Sequence, residues 1–458
     1  MNPRDRSPID PARAESILPG GALGANANTV GTRFTVASAS GPYITDTDGH
    51  RYLDYVTGAG ALILGHQHPA VVDAVVRQAG RTMHQYGALT DVAIELAAQL
   101  VDAIPCAERI VFATTGSEAT AYSLRLARAV TGRDLIVKFE GGFHGNHDYA
   151  GIAVAAPTTA DYPTGRPFTA GTPGAVRDTV LVVPYNDLDA LERLVTPLVD
   201  RVAGIIVEPV QRIIPPLPGF LAGLRSFCDR HGLLLIFDEV VTGFRLSYGG
   251  AQGYFGVTPD LAAFGKIIGG GGTLACVAGR ADVVDRTSPR LKGTPRYVYT
   301  SGTFHGNPLA AAAGLATLEV LRRPGFYEDL ADRTRRLSRR LTRVLADHGC
   351  QALVATAGSL WQILHIDRPP ERYADLLASD QAANLQLDRA LLANGINVIP
   401  GLRRFVSTAH SDDHFETTAV ALDGACRESG GSDSREAGPG TGSTAGGSAP
   451  GTPSGRHP

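Results

Sequence analysis

Between Arg109 and Gly279 six short runs of aliphatic and β-branched residues recur: RIVFAT (109–114), DLIVKF (134–139), TVLVVPY (179–185), GIIVEPV (204–210), LLLIFDEV (233–240) and LACVAG (274–279). Strands that are apolar throughout, rather than on alternate residues, must be buried on both faces. Separated by amphipathic stretches, they predict an α/β fold with a mostly parallel central sheet flanked by helices. One such stretch, GSEATAYSLRLARAVTG, has Ala121, Leu124 and Ala127 at helical spacing and predicts a helix from near Ser117 that closes on Gly132.

Around this core the pattern changes. Residues 1–75 read as an irregular arm with a strand pair in GPYITDTDGHRYLDYV, and residues 76–320 hold the sheet. ADRTRRLSRRLTRVLADHG then predicts a charged helix that opens a smaller α+β domain over 321–426, completed by the N-terminal segment. From Arg427 to Pro458 the chain is rich in Gly, Ser and Pro and is expected to be a disordered tail.

A formal net charge of −3 gives no electrostatic reason to expect nucleic acid or an anionic membrane, so small molecules are the expected partners. The five cysteines are scattered without zinc or disulfide spacing, and no apolar run is long enough for a membrane span, so a soluble, cytoplasmic protein is expected. Among the 42 basic residues only Lys138, Lys266 and Lys292 are lysines. Chemistry that needs a deprotonated amine can use lysine but not arginine, so three positions are candidates.

Lys266, in FGKIIGGGG, sits among groups too apolar and too small for a typical solvent face. Asp238 ends an apolar strand, where a carboxylate is costly to bury unless a cation faces it. A loop, a helical crossover and a return between them would bring both to one crevice at strand ends. A buried lysine that attacks carbonyls, paired with a carboxylate that keeps a pyridine nitrogen protonated, is the logic of pyridoxal 5'-phosphate. For its phosphate, TTGSEA offers Gly116 and Ser117 at the start of a helix, although Ser117 could equally be a plain helix cap. Phe143, after two glycines in EGGFHGNHD, could lie flat on a ring or pack in the core. His144 and His147 are separated by a glycine and lack a completing ligand set, so no metal is expected.

Together TTGSEAT, VKFEGGFHGNHD, IIVEPV, LLLIFDEVVTGFR, YGGAQGYFGVTPDLAAFGKIIGGG, GTFHGNPLAAAAGLATLEVL and FVSTAH carry a resemblance over residues 20–425 to the class III (fold type I) pyridoxal-phosphate aminotransferases, the glutamate-1-semialdehyde aminomutases among them. The resemblance implies that Lys266 forms the Schiff base and shuttles the proton, and that Asp238 is the pyridinium partner. It puts Phe143 and Val240 on the two ring faces and Gly116 and Ser117 at the phosphate, with Thr303 supplied by a second subunit of a homodimer. Where the aminomutases carry an arginine this chain reads GANANTV, around Ala27, and where they carry a tryptophan it has only Gly and Ala over Gly58–Ala61. Arg403 and Arg404 precede FVSTAH, as surface groups or as a hook for a donor carboxylate.

The expected activity is transfer of an amino group from a donor such as glutamate to a bulkier carbonyl, with the keto-sugars of aminoglycoside antibiotic biosynthesis as a candidate class. Intramolecular transfer, as in the aminomutases, stays open. A regulatory module that binds the cofactor without turnover also stays open, though no DNA-binding appendage is apparent.

Overall fold

A computed structural model describes residues 11–24, 34–155 and 162–430. Its centre is a seven-stranded sheet. In spatial order the strands are Arg109–Ala113, Ala275–Gly279, Leu261–Phe264, Leu234–Asp238, Val202–Val207, Leu135–Phe139 and Val180–Val183. Only Ala275–Gly279 runs antiparallel to its neighbours. The seventh strand, Leu261–Phe264, is the return between Asp238 and Lys266; its LAAF sequence is too short and too rich in alanine to stand out by β propensity.

The strands are apolar throughout because both faces are covered. Ile136, Ile206, Ile236 and Ala263 pack under the helix Gly116–Thr131 through its buried Ala119, Leu126 and Ala127. Alternate residues, Val137, Ile205, Leu235 and Ala262, join a larger core on the other face with Leu224 and Phe227 of the helix Phe220–His231. The Gly116–Thr131 helix ends on Gly132, as its sequence predicts.

The predicted strand pair forms as Tyr43–Asp46 and Arg51–Asp54, antiparallel to each other. Ile396–Asn397 then adds in parallel to Arg51–Asp54, so N- and C-terminal segments share one small sheet. A three-stranded sheet of Leu353–Ala357, Leu360–Leu364 and Arg404–Phe405 completes this region, beside the charged helix Phe326–Asp347. The last helix, Asp412–Gly430, runs past residue 427, so the expected tail boundary falls inside it. The rest of that tail, and Ala27, lie outside the described residues.

Candidate functional site

The strands Arg109–Ala113, Leu135–Phe139, Val202–Val207, Leu234–Asp238 and Leu261–Phe264 all end at one edge of the sheet. Residues just beyond those ends line a cavity of about 230 Å³: Gly116 and Ser117, Phe143 and His144, Glu208, Asp238 and Val240, and Lys266. Carboxyl ends of parallel strands are where such sheets open a crevice. Asp238 lies in register with Ala263, and Lys266 follows that neighbouring strand after Gly265, which explains why residues so distant in sequence meet.

At one end of the cavity is a helix start. Thr115 Oγ1 caps it by accepting the Glu118 N–H at 3.2 Å, so the cap is Thr115 and not Ser117. Ser117 Oγ instead accepts the Asn146 N–H at 2.9 Å, tying the helix to the loop after Phe143. A Cβ on Gly116 would lie 2.8 Å from both methyl groups of Val240, and one on Gly145 would lie 2.6 Å from the Ser117 Cα. Backbone therefore closes on backbone around the first-turn amides, where the positive end of the helix favours an anion.

At another wall Asp238 is buried, with Oδ2 2.8 Å from His144 Nδ1 and Oδ1 accepting the Val240 N–H at 3.1 Å. Within the described residues the group hydrogen-bonded to this carboxylate through a side chain is the His144 imidazole. His144 Nε2 is buried with no hydrogen-bond partner among the described residues. His147 turns away to Thr120 Oγ1, at 3.3 Å, and burial, reinforced by neighbouring His144, lowers its pKa to about 4.

Phe143 is 44% exposed, as a ring presented to a cavity rather than to the core would be. Its N–H donates to Glu208 Oε2 at 3.0 Å. Its loop is pinned from beneath by Lys138, whose buried Nζ donates to the carbonyls of Gly142 and Ala150, each at 3.0 Å, and of Ile152. Glu208 is not singled out by the sequence reading, and Lys138 stands there only as one of three lysines, because each acts on a partner that only the tertiary fold brings near.

Lys266 adopts φ +50°, a left-handed conformation uncommon for a residue with a side chain and one that clusters at functional sites. Its Nζ makes no hydrogen bond among the described residues. Burial, and then the Arg403 cation, lower its pKa to about 8 against the opposing pull of Asp238 and Glu208. The amine is therefore neutral part of the time near neutral pH.

Lys266, Phe143 and Arg403 also line a second cavity of about 430 Å³, the natural place for a substrate beside a cofactor. Ala59, within the Gly58–Ala61 stretch, is on its wall. Of the two candidate arginines, Arg403 faces both cavities. Its Nη1 donates to the Arg212 carbonyl at 2.7 Å and lies 3.6 Å from Glu208 Oε1. Arg404 lines the second cavity but is committed to Asp388 and stacks over Trp361 at 4.8 Å.

Thr303 is exposed and lines neither cavity of its own chain. It adjoins Phe304, which with Val72 and Val76 lines a larger, mainly apolar hollow of about 820 Å³ that shares Thr114 and Thr273 with the first cavity.

These residues fit pyridoxal phosphate: helix amides and a hydroxyl for the phosphate, a buried carboxylate for the ring nitrogen, an aromatic ring and a valine for the faces, and a free amine for the aldehyde. The aminotransferase class-III family model matches residues 25–407. A glutamate-1-semialdehyde 2,1-aminomutase of Roseiflexus castenholzii is 42% identical over 428 residues, 91% of this chain and 96% of that protein. An omega-transaminase from Sphaerobacter thermophilus superposes with a TM-score of 0.86 at 34% identity, covering 93% of this chain and 98% of that one. A β-phenylalanine aminotransferase from Variovorax paradoxus does so with a TM-score of 0.82 at 30% identity, covering 92% and 93%. With the geometry and these likenesses together, the chain belongs to the class III aminotransferases, enzymes that depend on pyridoxal phosphate.

Proposed function

We propose that this protein moves an amino group between two separate substrates. The observation that carries the reading is the Lys266 amine, largely withdrawn from solvent, without a hydrogen bond among the described residues and shared by two adjoining cavities. Lys266 is the residue that would hold the cofactor through its aldehyde, and its amine, once released, would be placed to carry a proton at the reacting carbons. Asp238, steadied by His144, keeps the ring nitrogen protonated, so that the bound cofactor can act as an electron sink. Phe143 and Val240 hold the ring faces. Gly116 and Ser117 hold the phosphate, joined by the partner subunit's Thr303 across a homodimer interface. The apolar hollow beside Thr303 supports that interface. Arg403 holds the carboxylate of a donor such as glutamate.

The second cavity bears on the acceptor. Val154, Phe168, Leu364, Leu376 and Leu377 give it an apolar wall. Gln362, Ser379, Gln381 and Asn384 line the same cavity, so it offers an acceptor both apolar surface and hydrogen-bonding groups, and a keto-sugar of antibiotic biosynthesis stays among the candidates. Intramolecular transfer on a small amino-aldehyde is the second reading, favoured by the name of the 42%-identical relative. Among the described residues no helix is long and apolar enough to cross a membrane, in keeping with a cytoplasmic enzyme.

Incubation with glutamate 1-semialdehyde alone separates the two: an aminomutase turns over repeatedly, whereas a transaminase needs a second substrate. In either case Lys266→Ala should abolish turnover and the borohydride-reducible bond to cofactor. Labelling of Lys138 or Lys292 instead would overturn the assignment.

A further inference from the structure

We propose that Arg212 is a second anion hook in the substrate cavity, receiving a carboxylate remote from the reacting amine, so that the enzyme selects dicarboxylic amino donors. This rests on the transaminase reading. Arg212 lines the second cavity, as do Lys266 and Arg403. Its backbone is held at φ +59°, a strained conformation for an arginine that folds retain where the side chain must be aimed.

The guanidinium is fixed rather than free. Nε donates to the Gly141 carbonyl at 2.8 Å and Nη2 to the Val154 carbonyl at 2.9 Å, while its carbon sits 5.9 Å from the centre of the Phe143 ring. Nη1 makes no hydrogen bond among the described residues. An arginine whose plane is set by two neutral carbonyls, with no carboxylate paired to it, keeps its whole charge for a ligand.

Charge around the cavity points the same way. Arg403 lies a loose 3.6 Å from Glu208, whose other oxygen accepts the Phe143 N–H, and Arg245 is buried against the Gly60 carbonyl, the Ser359 hydroxyl and the Phe405 ring. Arg212, Arg403 and Lys266 line a cavity whose described lining includes no carboxylate, an excess of positive charge that an anionic substrate would offset. Arg403 lines the first cavity with Lys266 as well as the second, whereas Arg212 lines only the second, which places Arg212 on the side away from the cofactor cradle. Arg403 then takes the near carboxylate of an α-amino acid and Arg212 the far one.

The test uses the holoenzyme and the half-reaction in which amino donor converts the cofactor from its aldehyde to its amine form, followed by absorbance. The probes are glutamate, its neutral isostere glutamine, and alanine. Wild type should favour glutamate over glutamine by about 10- to 100-fold in kcat/KM, the range a charge-assisted contact supplies. Arg212→Met should collapse that ratio through KM, and Arg212→Lys should restore part of it. A wild-type ratio near one, which needs no variant, would overturn the inference, as would an unchanged ratio in a cofactor-loaded Arg212→Met protein. Failure of every donor in wild type would instead sink the transaminase reading.

Discussion

Replacing Gly145 by alanine should cost the protein its grip on the cofactor while sparing the fold. Gly145 has φ +101°, outside the range alanine adopts easily, and its new methyl would lie 2.6 Å from both the Cα and Oγ of Ser117. Backbone strain of this kind costs about 1–3 kcal/mol. Forcing a methyl into a closed contact costs about 1–3 kcal/mol more. The loop relieves that strain by drawing back from the helix start, breaking the Ser117 Oγ to Asn146 contact, and cofactor binding must then restore the geometry. Even the smaller sum, about 2 kcal/mol, weakens binding roughly 30-fold at 1.4 kcal/mol per tenfold. The assay is titration of apoprotein with pyridoxal phosphate by absorbance, alongside a Gly132→Ala control. That control carries a positive φ of 68° but has nothing within 4 Å of its new methyl, so it pays for strain without touching the cradle. Cofactor affinity in folded Gly145→Ala within threefold of wild type would refute the reasoning.

Two further outcomes are expected. Asp238→Asn should still bind cofactor through Lys266 yet lose at least about 100-fold in kcat, since an amide cannot hold the ring nitrogen's proton; near-normal rates would contradict the electron-sink role. Stability should also respond to acid through His410, whose fully buried ring stacks on Tyr55 at 4.5 Å and whose pKa burial lowers to about 4. Folded protein keeps this imidazole neutral while the unfolded chain protonates near pH 6.5, so the contribution is present above pH 6.5 and lost as pH falls towards 4, by up to about 3 kcal/mol. The acid-induced drop in melting temperature should be smaller in His410→Gln than in wild type, and equal drops would rule this source out.

The parts of this site that could be read in advance are those whose chemistry shows in a single segment. Apolar runs without alternation announced a sheet buried on both sides, and a lysine among glycines in an arginine-rich chain marked Lys266. Apart from the meeting of Asp238 and Lys266 in one crevice, relationships between segments were not legible. Ser117 and Thr115 are both hydroxyl residues beside a glycine, and only the backbone path decides which caps the helix. His144 was visible next to Phe143, but its pairing with Asp238 depends on two strands ending at the same edge. Arg212 offered no local sign at all, since its value lies in a strained backbone and in having no carboxylate partner.

The three lysines show how a fold separates an amine meant for structure from one meant for chemistry. Lys292 is exposed and lines neither of the two cavities that Lys266 faces. Lys138 is buried as thoroughly as any residue in the sheet, and burial lowers its pKa to about 7, below that of Lys266. Proton affinity alone would therefore not set Lys266 apart from Lys138. Geometry does: three carbonyls take all three of the Lys138 ammonium hydrogens, and deprotonation would strand one of them buried and unpaired. Lys266 has no such obligations. Its nitrogen can release a proton, form an imine and revert without disturbing any hydrogen bond in the chain, which a guanidinium could not do and which Lys138 could do only by loosening the loop that presents Phe143.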